Sequence, residues 1–362
     1  MSERTYTDDA NATAEAAAGL ASPIGRLVSV ALPARERSIP AALCTVAGEV
    51  AAMADRGVDP DVSPVQVTEP LIEAVVSLEG YLRIRRQLVH GDSSAGMGCP
   101  RDDDARRNPG SGRRIGDRDG DRERERDAAV LASDYLHAAA YAAAGETPVP
   151  AGRGLELYRV LASGSTALSH EFLERSLGTS DLDGGDAESL PPATVAGVAA
   201  DLGATALGAT EEIRAALETY SRSLAAAVVA RSGETTDTDA SDEVGASARP
   251  IGVDLRRTVV RVLSATDGIR LPAEQSTSTV VPGAEPANSD GECHLERARE
   301  AVAALERAVD PEVTAASTAS ASASASASEA RDDPRIRGDL ESPLVRLERA
   351  TRVPFGTGNG NP

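Results

Sequence analysis

Apolar residues recur every three or four positions along most of this chain, over residues 41–55, 67–91, 128–144, 154–176, 192–207, 210–231, 252–265 and 293–309. That spacing is the period of an amphipathic helix. Strand-like alternation does not compete with it, and the β-branched runs are short. The pattern predicts an all-α bundle of roughly eight to ten helices in a single domain spanning residues 1–362. Local start signals agree. Thr68 before an apolar run reads as an N-cap, Pro192 suits a first turn, and Thr210 before Glu211 and Glu212 puts negative charge where the helix dipole favours it. Four polar stretches interrupt the period: 93–127, which passes from Ser/Gly into GDRDGDRERERD, the acidic 232–248, the Ser/Thr/Pro/Gly-rich 273–291, and 311–335, which contains a Ser-Ala repeat at 317–328. With little apolar surface to bury, they are expected to be disordered, flexible insertions.

Composition narrows the chemistry. All 37 basic residues are arginine, against 57 acidic ones, for a net charge of -20. Without lysine there is no P-loop amine, no Schiff base and no ammonium clamp on phosphate. The acidic balance, abundant alanine, two Phe and no Trp suggest a halophilic protein whose carboxylate shell stays hydrated in concentrated salt. No basic face stands out, so no nucleic acid is expected as a partner. Cys44, Cys99 and Cys293 are too far apart for a metal pair and odd in number for a disulfide framework, and read as buried or incidental thiols. The polar opening and the lack of any 18-residue apolar run predict a cytoplasmic protein without a stable membrane anchor.

Read in order, several phrases resemble the trans-isoprenyl (polyprenyl) diphosphate synthase family. ARERSIPAALCTVAGEV (Ala34 to Val50) is similar to its G-K-R-x-R-P stretch and following helix, LVHGD (Leu88 to Asp92) to its first aspartate-rich motif, and DDDARRNPG (Asp102 to Gly110) to the D-D-L-R-R-G-x-P segment. AVLASDYLHAAAY (Ala129 to Tyr141) resembles the G-D-Y-L helix, and Ala200 to Ala227 the L-G-A…E…Y-G-x-x-L-G helices. ARPIGVDLRR (Ala248 to Arg257) is similar to G-K-P-x-G-S-D-L-R-x-G-K, and His294 to Glu306 to the late helix. Seven phrases keep the family's order over about 270 residues. The resemblance implies an isoprenoid-synthase-like helical bundle. In such enzymes two aspartate-rich motifs hold magnesium ions that stabilise a departing diphosphate, and cationic side chains complete the clamp.

This chain departs from that machinery at both ends. By the resemblance, Gly91, Asp92 and Ala95 stand for the first three aspartates, and Ser232, Gly233 and Thr236 for the second three, with Val229 in place of a glutamine. Glu36 and Ile39 occupy a lysine and an arginine position, Ala193 the lysine before Thr194, and Val259 the lysine after D-L-R. What survives is a vestigial diphosphate set, Arg37, Arg106 and Arg107, and a vestigial metal set, Asp92, Asp102, Asp103 and Asp104. No residue is assigned a catalytic role. Asp237, Asp239, Asp242 and Glu243 could face Asp102–Asp104 as a displaced magnesium site, but solvated loop charge is the simpler reading.

Other residues have plain readings. His90 reads as a packing residue, His137, His170 and His294 as exposed or capping, Ser165 as a small core residue and Asp134 as an internal hydrogen-bond partner. Arg83, Arg85 and Arg86 lie on a helix that in the family lines the reaction cavity, which leaves open whether they fill it. The expected function is a non-catalytic homologue that needs no cofactor and serves as an interaction or regulatory partner in isoprenoid biosynthesis. It would pair as a homodimer or as a heterodimer with an active prenyl diphosphate synthase. The alternatives are an active prenyltransferase using magnesium on displaced acidic loops, and a protein that binds an isoprenoid tail.

Overall fold

The computed structural model describes residues 12–54, 63–90, 115–176, 191–233, 251–264, 289–309 and 341–353. Every regular element among them is helical: α1 (Ala12–Ala18), α2 (Ser22–Ala31), a 3-10 turn (Arg35–Arg37), α3 (Ile39–Ala54), α4 (Pro64–His90), α5 (Ile115–Gly145), α6 (Ala151–Ser176), α7 (Pro191–Ala206), α8 (Glu211–Gly233), α9 (Ile251–Ser264), α10 (Ser289–Val309) and α11 (Pro343–Thr351). None is long and apolar enough to cross a membrane. Helices α3, α4, α7 and α8 form the centre. Helix α5 packs on α4, α6 on α7 and α10 on α8, while α9 and α11 pack on α3.

The α3–α7 contact explains how a chain nearly without large aromatics builds a core. On α7, only Asp201 among residues 191–206 approaches partial exposure alongside Pro192; the rest, mostly Ala, Val, Gly and Thr, are buried. Small side chains let two backbones approach until the backbone itself becomes the packing surface. A methyl group at Gly203 would overlap the Cys44 carbonyl oxygen, and one at Gly48 would lie 2.7 Å from Thr68 Cγ2.

The helix ends correct several sequence expectations. Thr68 is not a cap: α4 begins at Pro64, and the Thr68 hydroxyl donates to the Pro64 carbonyl 3.1 Å away, within the helix. Thr210 does cap α8, its Oγ1 accepting from the Ile213 N–H at 3.4 Å, and Pro192 lies in the first turn of α7. Helix α5 extends back to Ile115, through residues placed in the first insertion. Arg and Glu favour helix, and a solvated turn carried on an established helix needs no apolar face. Helices α1, α2 and α11 were not anticipated, because 7 to 10 residues show too few periods to stand out. The remaining parts of the four polar stretches lie outside the described residues.

Candidate functional site

The first turns of α3 and α7 meet the C-terminal halves of α4 and α8 and the middle of α9 around a cleft of about 70 Å³. Ile39, Pro40, Leu82, Val195, Val228 and Val229 give it apolar walls, and Glu79, Arg83, Arg86 and Arg256 supply its charge. Glu79, Arg83 and Arg86 are spaced four and three residues apart and so share a face of α4.

Two of these four charged groups are fixed by the fold. Ser38 ends the 3-10 turn and caps α3, its Oγ accepting from the Ala41 N–H at 3.1 Å while donating to Glu79 Oε2 at 2.6 Å. Glu79, only 8% exposed, also lies 3.5 Å from Arg83 Nη2. Arg83 Nη1 in turn donates to the Ala31 carbonyl at 3.0 Å, tying α4 to the end of α2. Arg85 turns away: it pairs with Asp134 at 3.1 Å and lies over the Tyr81 ring at 5.5 Å. Arg86 and Arg256 have neither ion pair nor hydrogen bond among the described residues.

A larger open groove of about 400 Å³ lies at the opposite end, lined by Arg153, Glu156, Thr205 and Arg214. Its cations are already engaged. Arg214 grips both oxygens of Asp201 at 2.7 and 3.2 Å and reaches Glu211 at 3.1 Å, while Arg153 donates to the Ala206 carbonyl at 3.2 Å. Hydrogen bonding to Asp201 pushes Arg214 above its ordinary value and locks its charge in place. The smaller cleft, where Arg86 and Arg256 have no partner among the described residues, is the better candidate site.

Of the residues singled out in the sequence, Arg37 is described; it is exposed on the 3-10 turn and does not line the cleft. Asp92, Asp102, Asp103, Asp104, Arg106 and Arg107 lie outside the described residues, as do Gly91, Ala95, Thr236 and the acidic 237–243 segment. Ser232 and Gly233 end α8. Ile39, Ala193 and Val259, at positions the resemblance assigns to cations, are at most 5% exposed and belong to the core. Thr194 is fully buried, donating to Glu171 and accepting from Arg222 Nη2 at 3.1 Å. Sequence reasoning had not picked out Ser38, Glu79 or Arg256 as site residues. The Glu79–Arg83–Arg86 spacing was a legible signal, whereas Arg256 joins only through tertiary packing.

The magnesium that the resemblance implies does not fit the groups at this cleft. Its one carboxylate, Glu79, is already held by Ser38 and Arg83 and stands among guanidiniums, whereas a magnesium site needs open carboxylate oxygens.

No family model matches the chain, and no curated protein matches it either. Solved structures similar to it include a geranylgeranyl pyrophosphate synthetase from the archaeon Geoglobus acetivorans, at 12% identity and a TM-score of 0.46, covering 91% of this chain and 90% of that one. A geranylgeranyl pyrophosphate synthetase from Pyrococcus horikoshii has 13% identity and a TM-score of 0.43, covering 94% and 97%. A polyprenyl synthetase from Streptomyces coelicolor has 15% identity and a TM-score of 0.45, covering 94% of each chain. This similarity concerns the course of the helices; the site is read from its own residues.

A second polar cluster sits between α4, α5 and α6. His137 is half-buried, not exposed or capping: its Nε2 is 2.9 Å from Ser165 Oγ, which is 3.3 Å from the Tyr141 hydroxyl, and Tyr81 and Tyr141 each place a ring 5.2 Å from the imidazole. His294 is buried as well, at 8% exposure, while His170 is exposed beside Glu174 at 3.2 Å. Desolvation pulls the His137 pKa below its ordinary value, with Asp134 opposing and Arg85 assisting. Because the unfolded state then binds the proton more readily, the His137 contribution to stability is fully present above about pH 6.5 and is lost as pH falls through that value towards the folded pKa. Urea unfolding of wild type and His137→Gln should therefore differ most at pH 8 and progressively less towards pH 5. A pH-independent difference would rule out this linkage.

Proposed function

We propose that this chain is a non-catalytic relative of the trans-isoprenyl diphosphate synthases that acts as a regulatory partner of an active prenyl diphosphate synthase. The observation that carries this reading is the size and lining of the cleft. At about 70 Å³ it falls well below the ~300 Å³ at the small end of ordinary ligand sites, whereas condensation must hold two diphosphates and a growing chain. Ile39, Val195, Val228 and Val229 occupy its walls, and Arg83 and Arg86 add charge to its lining. The same dimensions count against an enclosed prenyl tail. The sequence adds the replacement of acidic positions by Gly91, Ala95, Ser232, Gly233 and Thr236.

The partner role draws support from the outer side of α5 and α6, where Leu131, Leu155 and Leu173 are 52–56% exposed and Tyr158 is 40% exposed. Apolar groups left open on adjacent helices suit contact with another helical subunit. Incubation with allylic and isopentenyl diphosphates, magnesium and molar salt is expected to give no condensation product. Product formation at a rate proportional to protein would sink the non-catalytic reading. Affinity purification at high salt should recover a prenyltransferase, and loss of that recovery in Leu131→Glu/Leu155→Glu would locate the contact. A preparation that keeps other complexes but contains no prenyltransferase counts against the partner role.

A further inference from the structure

We infer that His137, Ser165 and Tyr141 form a proton relay, in which protonation of one imidazole reverses the hydrogen-bond direction along the chain of three and turns the Tyr141 hydroxyl outward at the α5/α6 surface. The relay is a property of this chain by itself, and its consequence for binding rests on the partner reading of that surface given above.

Helix α5 packs mainly on α4 and α6 mainly on α7, so α5 and α6 meet along a narrow seam. Hydroxyls and rings line it. His137 Nε2 is 2.9 Å from Ser165 Oγ across the seam, and the same oxygen is 3.3 Å from the Tyr141 hydroxyl, one turn further along α5. The Tyr141 ring stacks on Tyr158 at 6.2 Å, so Tyr81, Tyr141 and Tyr158, three of the six tyrosines in a chain poor in aromatics, gather at this place. From α4, Tyr81 and Arg85 face the imidazole; on α5 its neighbours are Asp134 and Tyr141, and from α6 Ser165. Arg85 and Asp134 pair with each other at 3.1 Å and act on the ring in opposite senses. Arg26, the one ionisable side chain of α2, bonds the Ser22 carbonyl of its own helix, and further along α6 His170 engages Glu174.

Valence sets the direction. A phenol is the strongest donor of the three groups and a neutral imidazole nitrogen the strongest acceptor, so with His137 neutral the chain runs from Tyr141 O–H to Ser165 Oγ and from Ser165 O–H to Nε2. Both nitrogens of a protonated imidazole are donors. The proton taken up then sits on Nε2 and is donated to Ser165 Oγ, the Ser165 hydrogen rotates to the Tyr141 oxygen, and the Tyr141 hydrogen rotates towards solvent. No covalent bond is broken. Leu131 on α5 and Leu155 and Leu173 on α6 stand open on either side of this chain. A subunit covering them would cover Tyr141 as well, and an outward O–H in a drying interface needs an acceptor that the neutral state does not require. Binding therefore favours the neutral imidazole, and by linkage the affinity falls by up to about tenfold for each pH unit below the His137 midpoint. Desolvation already holds that midpoint on the acid side, so the surface is in its binding form at neutral pH.

The full chain by itself decides the relay. Nitrogen NMR of the histidines should show neutral His137 as the Nδ1–H tautomer, with a midpoint below that of the exposed His170. The tautomer is read on the wild type and needs no variant. The tyrosine ring doublet in the Raman spectrum reports whether a phenol donates or accepts, and the part of it removed by Tyr141→Phe should change from a donor to an acceptor signature at the His137 midpoint. Ser165→Ala breaks the chain while sparing both its ends, and should leave the Tyr141 signature independent of pH. Ser163→Ala, at an exposed position of α6, should change nothing. An Nε2–H tautomer in the neutral ring, a Tyr141 signature that ignores the His137 titration, or one that follows it equally in Ser165→Ala would overturn the inference. For the consequence, the complex kept through purification at high salt is titrated from pH 8 to pH 5. Its affinity should fall through the His137 midpoint, and less steeply in Tyr141→Phe. An affinity flat through that midpoint would overturn the link to binding, whereas failure to recover any complex would sink the partner reading and leave the relay decided on the chain by itself.

Discussion

Replacing Glu49 with leucine is expected to destabilise the fold by about 3–5 kcal/mol, because it strands a buried guanidinium. The Arg346 side chain is 4% exposed, pairs with Glu49 of α3 and donates through Nη1 to the Leu263 carbonyl at the end of α9, 2.9 Å away. Burial pushes its pKa below the ordinary arginine value, yet its proton stays bound at any working pH. Without Glu49 the charge keeps, among the described residues, the Leu263 carbonyl as its partner. The same arginine fastens α11, together with the Tyr220 hydroxyl, which donates to the Leu347 carbonyl at 2.8 Å. The double variant Glu49→Leu/Arg346→Met should recover most of the loss, since a buried pair replaced by apolar groups of similar size is often neutral. Chemical denaturation in molar salt measures both. A Glu49→Leu variant within about 0.5 kcal/mol of wild type, the range of an ordinary surface change, would show that the pair contributes little.

Gly203→Ala is expected to lose about 1–3 kcal/mol despite the better helix propensity of alanine. In mid-helix that propensity favours alanine by about 1 kcal/mol. Here the added methyl meets the Cys44 carbonyl of α3, which is backbone and cannot rotate aside, so α3 and α7 must separate. Cys44 itself is fully buried in that contact, its thiol pushed up to about 12 by desolvation. Gly154→Ala on α6 is the control. Nothing lies within 4 Å of the added carbon, so it should be neutral or stabilising. Equal effects at the two glycines, read from denaturant midpoints, would show that close α3–α7 approach is not what selects glycine at 203.

Much of this protein was legible in its residue order. Helical period alone placed α3 to α10 to within a few residues apart from the long N-terminal extension of α5, and it excluded strands among what the structure describes, because a helix that buries one face must repeat apolar residues at its own pitch and α7, buried nearly all round, carries small apolar residues throughout. The capping by Thr210 could also be read locally, whereas Asp134, expected to bond internally, is exposed and pairs with Arg85 from 49 residues away. Thr68 could not, since a threonine in the first turn and one at the cap look alike until Pro64 is seen to begin the helix. His137 and His294 were misjudged for the same reason: burial depends on which helix lies opposite, and Ser165 is 28 residues from His137 in sequence. The resemblance told which acidic and basic positions had changed, but not what the replacements do. Only the tertiary structure showed that Ile39, Ala193 and Val259 join the core, that Arg85 leaves the cleft while Arg83 and Arg86 stay, and that Arg256 meets them from 170 positions along the chain. Period is a property of one helix, whereas a site is a property of the ends of five, and those ends are brought together by packing between segments that share no local pattern.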